Sequence, residues 1–196
     1  MTKLTLADIS DLRAYERERA DFRARVIELK AKRRVHVGPF VTFVFENRDT
    51  IRFQIQEMAR VEKIISDTGI ESELRAYNPL IPEPGHLSAT MFIELTTEAE
   101  LREWLPKLVG VERAVELRVG PEGEVITCLL DPDHAAQLTR DEITASVHYV
   151  GWELDESQIE AFAAGPVVLA VNHPQYRHEL ELSEVTRGEL LTDLRG

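Results

Sequence analysis

The N-terminal part of the chain has apolar positions that recur every three or four residues. The stripe contains one arginine, and its members are Leu12, Tyr15, Arg19, Phe22, Val26 and Leu29. Because this spacing keeps side chains on one helical face, it predicts a long amphipathic helix within residues 5–34 that packs on the rest of the protein. The spacing also fits a heptad, so a helix that contacts a partner or a second copy in a homodimer remains an alternative.

A second helix is predicted from Arg48 to about Thr68, with Gly69 closing it. Its apolar side chains form a wide arc and are Ile51, Ile55, Met58, Val61 and Ile65. Glu62 projects inside this arc and Glu57 extends it, and a buried carboxylate is costly unless it is paired, protonated or bound to a metal. The pattern favours a salt bridge, for instance to an arginine of the first helix. The alternative is a ligand or general acid in a cavity.

The rest of the chain has short β-type segments separated by turn residues. Strands are predicted at 40–46, 88–95, 114–119, 124–130, 144–152, 167–171 and 176–182, further helices at 71–77, 97–108, 155–164 and from 183 onward, and a turn or short helix at 131–133. Strands come as hairpins without regular β-α-β alternation. This order predicts an α+β fold with a mixed or mostly antiparallel sheet, helices mainly on one face, and a single domain over 1–196, with the body at 35–196.

Charge and cysteine content narrow the function classes. The net charge of −12 argues against binding to nucleic acid or to an anionic membrane. Residues 11–34 run against this balance, with nine basic and five acidic residues. A single cysteine and the lack of a secretory leader lead us to expect a cytoplasmic protein, and no run of about 20 apolar residues indicates a membrane span.

No phosphate loop, nucleophile elbow, zinc-protease helix or calcium loop occurs in the sequence. Two histidines are predicted on apolar strand faces: His148 shares a face with Val150 and Trp152, and His178 with Tyr176. With Glu57 and Glu62, these histidines make up the candidate site for a divalent metal. Neither histidine has a second ligand at local spacing, so a hydrogen-bonded core histidine is the favoured interpretation of each.

Polar residues also crowd the junction before the second helix, from Glu46 to Thr50. Helix capping with a local ion pair between Glu46 and Arg48 explains them. The alternative is that the helix N-terminus and Arg48 bind an anionic group, with the proline-rich loop that ends at His86 as the rim of the site.

Several of these motifs resemble a bacterial family known as domain of unknown function 3501. The resemblance is carried by the runs 45–50 and 54–58, by 78–82 and 87–90, and by the stretch from His173 to His178. Ser10 departs from it, since relatives carry proline there, which affects only the start of the first helix. Together with the helix arc and the polar junction, these motifs give the candidate binding residues Glu46, Arg48, Gln54, Glu57, Glu62 and Asn78.

The resemblance supplies no activity. It implies a role beside iron–sulfur and rubrerythrin-like proteins, in electron transfer or peroxide defence. With one cysteine, this chain is not expected to carry a cluster itself. Two hypotheses follow: an accessory or binding protein that works with a redox partner, which we favour, and a metal- or small-molecule-binding enzyme built on a carboxylate/histidine site.

Overall fold

A computed structural model describes residues 2–130, 139–140 and 143–196. The helices of this part are α1 (Leu12–Arg33), α2 (Arg48–Glu62), α3 (Asp67–Tyr77), α4 (Glu98–Lys107), α5 (Glu156–Ala164) and α6 (Glu184–Arg195). The strands are β1 (Arg34–Val37), β2 (Val41–Phe45), β3 (His86–Ile93), β4 (Val115–Val119), β5 (Glu124–Thr127), β6 (Thr139–Arg140), β7 (Ile143–Thr144), β8 (Val147–Glu153), β9 (Val167–His173) and β10 (Tyr176–Glu181). The turn predicted at 131–133 lies outside the described residues.

The longer strands form two four-stranded antiparallel sheets. The first has the order β1-β2-β3-β8 and the second the order β10-β9-β4-β5, while β6 and β7 pair as a short hairpin. In the first sheet Phe43 lies opposite Met91, and Met91 lies opposite His148. Each sheet is a series of neighbouring antiparallel strands, as the hairpin signals predict.

Alternate side chains of both sheets meet in one hydrophobic core. From the first sheet it takes Phe43, Phe45 and Trp152, and from the second Leu117 and Leu169, all fully buried. Since side chains alternate along a strand, each sheet presents one apolar face to the other. The rings of Phe45 and Trp152 lie 5.7 Å apart at their centroids.

Helices α1 to α3 cover the other face of the first sheet. Ile51 and Ile55 of α2 pack with Ile81 and Tyr149 in a separate cluster. The apolar stripe of α1 packs against α2 of the same chain: the ring of Phe22 lies edge-on to that of Phe53, with 5.6 Å between centroids. That stripe is therefore not available to a partner helix.

The α+β class and the long N-terminal helix are confirmed, with the strands divided between two sheets rather than forming one. The helix predicted at 48–68 is instead two helices. Lys63 adopts a left-handed conformation (φ 56°) that ends α2, and Ser66 caps α3, so Gly69 lies inside the first turn of α3. Strand β1, which follows α1 without a turn, is not anticipated by the pattern.

Within the residues that the structure describes, no helix has the length and apolar character needed to cross a membrane.

Candidate functional site

A cavity of about 320 Å³ lies between the proline-rich loop and the first sheet. We call residues 78–85 the proline loop and this space the proline-loop cavity. The walls come from the N-terminal segment, the proline loop, β3, the residues after β5 and β8, and the lining residues are Lys3, Pro79, Leu80, Ile81, Pro82, Glu83, His86, Leu87, Ser88, Leu129, Leu130, Tyr149, Val150, Gly151 and Trp152. The volume is within the range of small-molecule sites.

The proline loop is held on both sides by hydrogen bonds. The Asn78 amide donates to the Leu4 carbonyl and accepts from the Leu4 N–H, each at 2.9 Å. At the other end, the Gly85 N–H donates to the carbonyl of Leu194 at 2.9 Å and the Gly85 carbonyl accepts from the Leu154 N–H at 2.8 Å. Because prolines also restrict the backbone, this wall is stiff before any ligand arrives.

Polar groups interrupt the apolar wall at a few points. The indole N–H of Trp152 is not one of them: the side chain is fully buried in the core between the sheets, where this N–H has no hydrogen-bond partner among the described residues. Lys3 Nζ donates to the Ile81 carbonyl at 2.6 Å and lies 3.7 Å from a carboxylate oxygen of Glu83. The hydroxyl of Ser88 lines the same cavity. A wall of this kind suits an amphipathic molecule.

A buried carboxylate acts electrostatically on Tyr149, one of the cavity-lining residues. Glu46 is 2% exposed, and its two carboxylate oxygens accept hydrogen bonds from Thr50 Oγ1 at 2.5 Å and Thr90 Oγ1 at 2.6 Å. Burial raises the pKa of Tyr149, and the charges of Tyr77 and Glu46 raise it further. Tyr149 therefore faces the cavity region as a neutral phenol.

Arg48 holds the N-terminal segment in place. Its guanidinium donates to Asp8 Oδ1 at 2.5 Å and to the Thr2 carbonyl at 3.1 Å. Hydrogen bonding by Thr5 N–H and then by Arg48 lowers the pKa of Asp8 to about 2. Asn47 caps α2, as predicted. Arg48 pairs with Asp8 rather than with Glu46, so the local ion pair predicted at this junction is wrong.

Glu57 lies in a cluster of donors between α1 and α2. It accepts from Tyr15 Oη at 2.6 Å, from Arg19 at 2.7 and 3.0 Å and from Arg60 at 3.2 Å. The Arg19 hydrogen bonds lead the effects that lower the pKa of Glu57 to about 2. This is the salt bridge to the first helix that the sequence pattern favours.

Glu62 does not interrupt a buried surface, and that expectation is wrong. It is the last residue of α2 and is exposed, as are Val61 (65%) and Ile65 (87%). The arc was projected on a helix that continued to Thr68, whereas the backbone turns at Lys63 and leaves this end of the arc in solvent. Gln54, another candidate, is half-buried on α2.

His148 is buried, and its Nε2 lies 2.8 Å from Thr144 Oγ1 and 3.0 Å from the Ala145 carbonyl. Burial lowers the pKa of His148, against the opposing charge of Glu112. Nearby, Cys128 Sγ donates to the Glu112 carbonyl at 2.9 Å, and burial raises the pKa of this thiol to about 11. His148 therefore matches a satisfied core histidine.

The placement predicted for His178 is wrong, because its side chain is exposed. Strand β10 is the edge of the second sheet, and only its first residue, Tyr176, is buried. The His178 ring packs against the Tyr176 ring at an interplanar angle of 56°, with 4.5 Å between centroids. An edge strand at the margin of the core does not need an apolar inner face along its whole length.

A family model described as "Protein of unknown function (DUF3501)" matches residues 3–194. The chain belongs to this family. Among solved structures, it is similar to a crystal structure titled as a novel protein of unknown function from Burkholderia pseudomallei K96243. The two are 36% identical with a TM-score of 0.90, and the match covers 98% of this chain and 100% of that one. Nothing among the curated proteins matches.

In this DUF3501 member the four proposed metal ligands lie apart. Glu57 is paired with Arg19, and Glu62 is exposed to solvent. His148 is hydrogen-bonded to Thr144 in the core, and the exposed His178 packs at a tilt against Tyr176. Within the described part of the chain, no three histidine, cysteine or acidic side chains are grouped as metal ligands.

The sequence analysis made the proline loop and His86 the rim of an anion site at Arg48, whereas in the structure Arg48 pairs with Asp8 and the loop and His86 line a different cavity. It did not single out Lys3, Ser88, Tyr149 or Trp152. Lys3 precedes the first helix and lines the cavity only because Asn78 and Arg48 fix the N-terminal segment. Trp152 is apolar by pattern, and the lack of an acceptor for its N–H is visible only in three dimensions.

Proposed function

We propose that this protein is an accessory protein that binds a small amphipathic molecule in the proline-loop cavity. The observation that carries the proposal is the pre-formed cavity of about 320 Å³, whose wall is held in place by the hydrogen bonds of Asn78 with Leu4 and of Gly85 with Leu154 and Leu194. A wall that is ordered before the ligand arrives lowers the entropic cost of binding.

Binding is a better supported role for this cavity than nucleophilic catalysis. A serine nucleophile needs a base within hydrogen-bond reach. The Ser88 hydroxyl makes no hydrogen bond to any residue in the described ranges, and His86 Nδ1 is engaged with the Pro84 carbonyl at 3.1 Å. Stiff walls with few polar groups suit recognition, because little has to be ordered when the ligand enters.

The experiment uses Trp152 as its own reporter. The chain has two tryptophans, so a Trp104→Phe background leaves Trp152 as the sole indole fluorophore. Titration with octanol, octanoate and octylamine should give a saturable change in its emission with at least one of them. The proposal is contradicted by the absence of saturable binding with all three.

A cavity-filling variant tests the location. Ser88 is half-buried on the central strand β3, and Ser88→Phe places a ring in the cavity. This variant should lose the fluorescence response. Thr127→Phe is the matched control, because Thr127 is an exposed strand residue that does not line this cavity. If Thr127→Phe lost binding and Ser88→Phe retained it, the binding site would lie outside the proline-loop cavity.

The partner remains a proposal that comes from the resemblance: a cytoplasmic iron–sulfur or rubrerythrin-like protein. The surface proposed for an acidic partner is the exposed side of α1, which carries four arginines interspersed with three acidic residues: Arg13, Arg17, Arg23 and Arg25 with Glu16, Asp21 and Glu28. A complex through this patch should weaken as salt rises. Gel filtration with a purified rubrerythrin-like protein should show a complex that Arg17→Glu with Arg23→Glu weakens and Arg102→Glu does not. No complex at low salt would reject the partner.

The alternative, a metal-dependent enzyme, can be tested directly. Elemental analysis would compare the untagged parent protein with Glu57→Gln and His148→Asn. It would support the enzyme only if the parent held stoichiometric metal and the variants had lost it.

A further inference from the structure

An apolar groove lies between the N-terminal segment and the turn that joins α2 to α3. Its volume is about 320 Å³, and it shares no lining residue with the proline-loop cavity. The aliphatic side chains of its two walls include Leu6, Ile9, Leu12, Ile64, Ile65 and Ile70. Apolar side chains that adjoin one another on a surface indicate an interaction site, whereas single exposed ones do not.

Ile65 lies at the edge of this groove and is 87% exposed, more than any other large apolar side chain in the described part of the chain. The turn that carries it is held by hydrogen bonds. The Ile64 N–H donates to the Ala59 carbonyl at 2.9 Å, and the Gly69 N–H donates to the Ser66 hydroxyl at 3.2 Å. An apolar side chain on an ordered turn can be buried in an interface without first ordering the backbone, which lowers the cost of association.

The two walls of the groove carry opposite charges. Arg13 lines it from the N-terminal side and Asp67 from the side of α3. Both are exposed, and neither forms an ion pair with a residue in the described ranges. Asp11 also lies on the N-terminal wall, but its carboxylate already accepts from the N–H groups of Arg13 and Ala14, each at 2.9 Å. Each wall of the groove is therefore complementary in charge to the opposite wall of a second copy.

We infer that this groove is the contact surface of a two-fold symmetric homodimer. The Ile65 side chain of each copy enters the groove of the other, and Arg13 of one copy pairs with Asp67 of the other. A two-fold axis repeats every contact in reverse, so a surface that carries a protruding apolar side chain, a groove and both charges is complementary to itself. The dimer does not use the apolar stripe of α1, which packs against α2.

Sedimentation velocity of the full chain tests the dimer. At concentrations up to about 1 mM, the parent protein should show a reversible equilibrium between monomer and dimer. Ile65→Asp should abolish the dimer, because it places a charge in the apolar contact. Since Ile65 is exposed in the monomer, the circular dichroism spectrum should stay unchanged. Val185→Asp is the matched control: Val185 is 60% exposed on α6 and does not line the groove, so this variant should dimerise as the parent does.

A charge exchange tests the pairing across the two-fold axis. Arg13→Asp and Asp67→Arg should each raise the dimer dissociation constant by about tenfold or more, because like charges then face each other. The double variant should recover the parent affinity, since it restores both pairs with their charges exchanged. Monomer at every concentration overturns the dimer. A dimer that survives Ile65→Asp, or a double variant that recovers no affinity, overturns the assignment of this surface.

Discussion

Arg33, the last residue of α1, donates two hydrogen bonds to the carboxylate of Asp193 in α6, at 2.6 and 3.1 Å. The two residues are 2% and 4% exposed. Glu189 adds a second carboxylate 3.6 Å from the same guanidinium. Burial raises the pKa of Asp193, while the Arg33 guanidinium opposes that shift. The pair fastens the N-terminal helix to the C-terminal helix.

Breaking this pair from one side should be strongly destabilising. Arg33→Met leaves Asp193 buried without its guanidinium, and Asp193→Leu leaves the guanidinium without its carboxylate, so each should lower the free energy of unfolding by about 3–5 kcal/mol. The double variant should cost much less than the sum, because no buried charge is left. Urea unfolding of the four proteins measures the cycle. Additive losses would mean that the two side chains are not coupled.

Glu57 should stabilise the fold in a pH-dependent way. Its pKa is lowered from 4.5 to about 2, chiefly by the Arg19 hydrogen bonds. Since the folded pKa is below the unfolded one, the stabilisation is complete above pH 4.5 and is lost as the pH falls toward 2. Glu57→Gln should therefore cost about 1–3 kcal/mol at pH 7 and progressively less in acid.

Glu62→Gln is the control for this measurement, because Glu62 lies on the same helix and is exposed. Chemical unfolding at pH 7, 4.5 and 3 compares the two variants with the parent. A loss in Glu62→Gln equal to that in Glu57→Gln would show that the contacts of Glu57 with α1 contribute nothing specific.

His148 should make the protein less stable in mild acid. Burial lowers its pKa from 6.5, so the unfolded chain takes up a proton before the folded one does. Stability from this group is present above pH 6.5 and falls below it by up to about 1.4 kcal/mol per pH unit. The difference in unfolding free energy between the parent and His148→Asn should narrow from pH 7.5 to 5.5. His178→Asn, at an exposed position, should show no such trend.

Much of the fold can be predicted from the sequence, because helix caps and apolar stripes are local signals. Asp155 and Ser183 cap α5 and α6 through their own side chains, and the stripe with Tyr15, Phe22 and Val26 is the buried face of α1. The pairing of Glu57 with Arg19 follows from the cost of a buried carboxylate on a helix that faces a basic one.

The candidate site is harder to predict from the sequence, because its residues come together only in the folded protein. Lys3 and Trp152 are far apart in the chain and line one cavity. The error at Glu62 has a related origin: one left-handed residue, Lys63, ends α2 early, and no apolar pattern encodes that turn. His178 was misplaced because periodicity cannot distinguish an edge strand from a central one.

Any side chain at Gly38 should destabilise the protein, because the hairpin turn between β1 and β2 packs against Tyr176. The Tyr176 hydroxyl donates to the Val37 carbonyl at 2.6 Å and accepts from the Val41 N–H at 3.2 Å. A Cβ at Gly38 would lie 2.5 Å from that hydroxyl and 2.5 Å from Cγ of His178. Gly38 also has a φ of +76°, which costs a residue with a Cβ about 1–2 kcal/mol.

Gly110→Ala separates these two effects. Gly110 has a φ of +83°, and a Cβ there meets no atom within 4 Å, so this variant carries the backbone strain without the clash. Gly38→Ala should lower the free energy of unfolding by about 1–3 kcal/mol more than Gly110→Ala, because the added methyl breaks the Tyr176 hydrogen bonds that join the two sheets. Thermal and urea unfolding of both variants measure the difference. Equal losses would mean that Tyr176 moves aside freely and that its contacts with the turn add no stability.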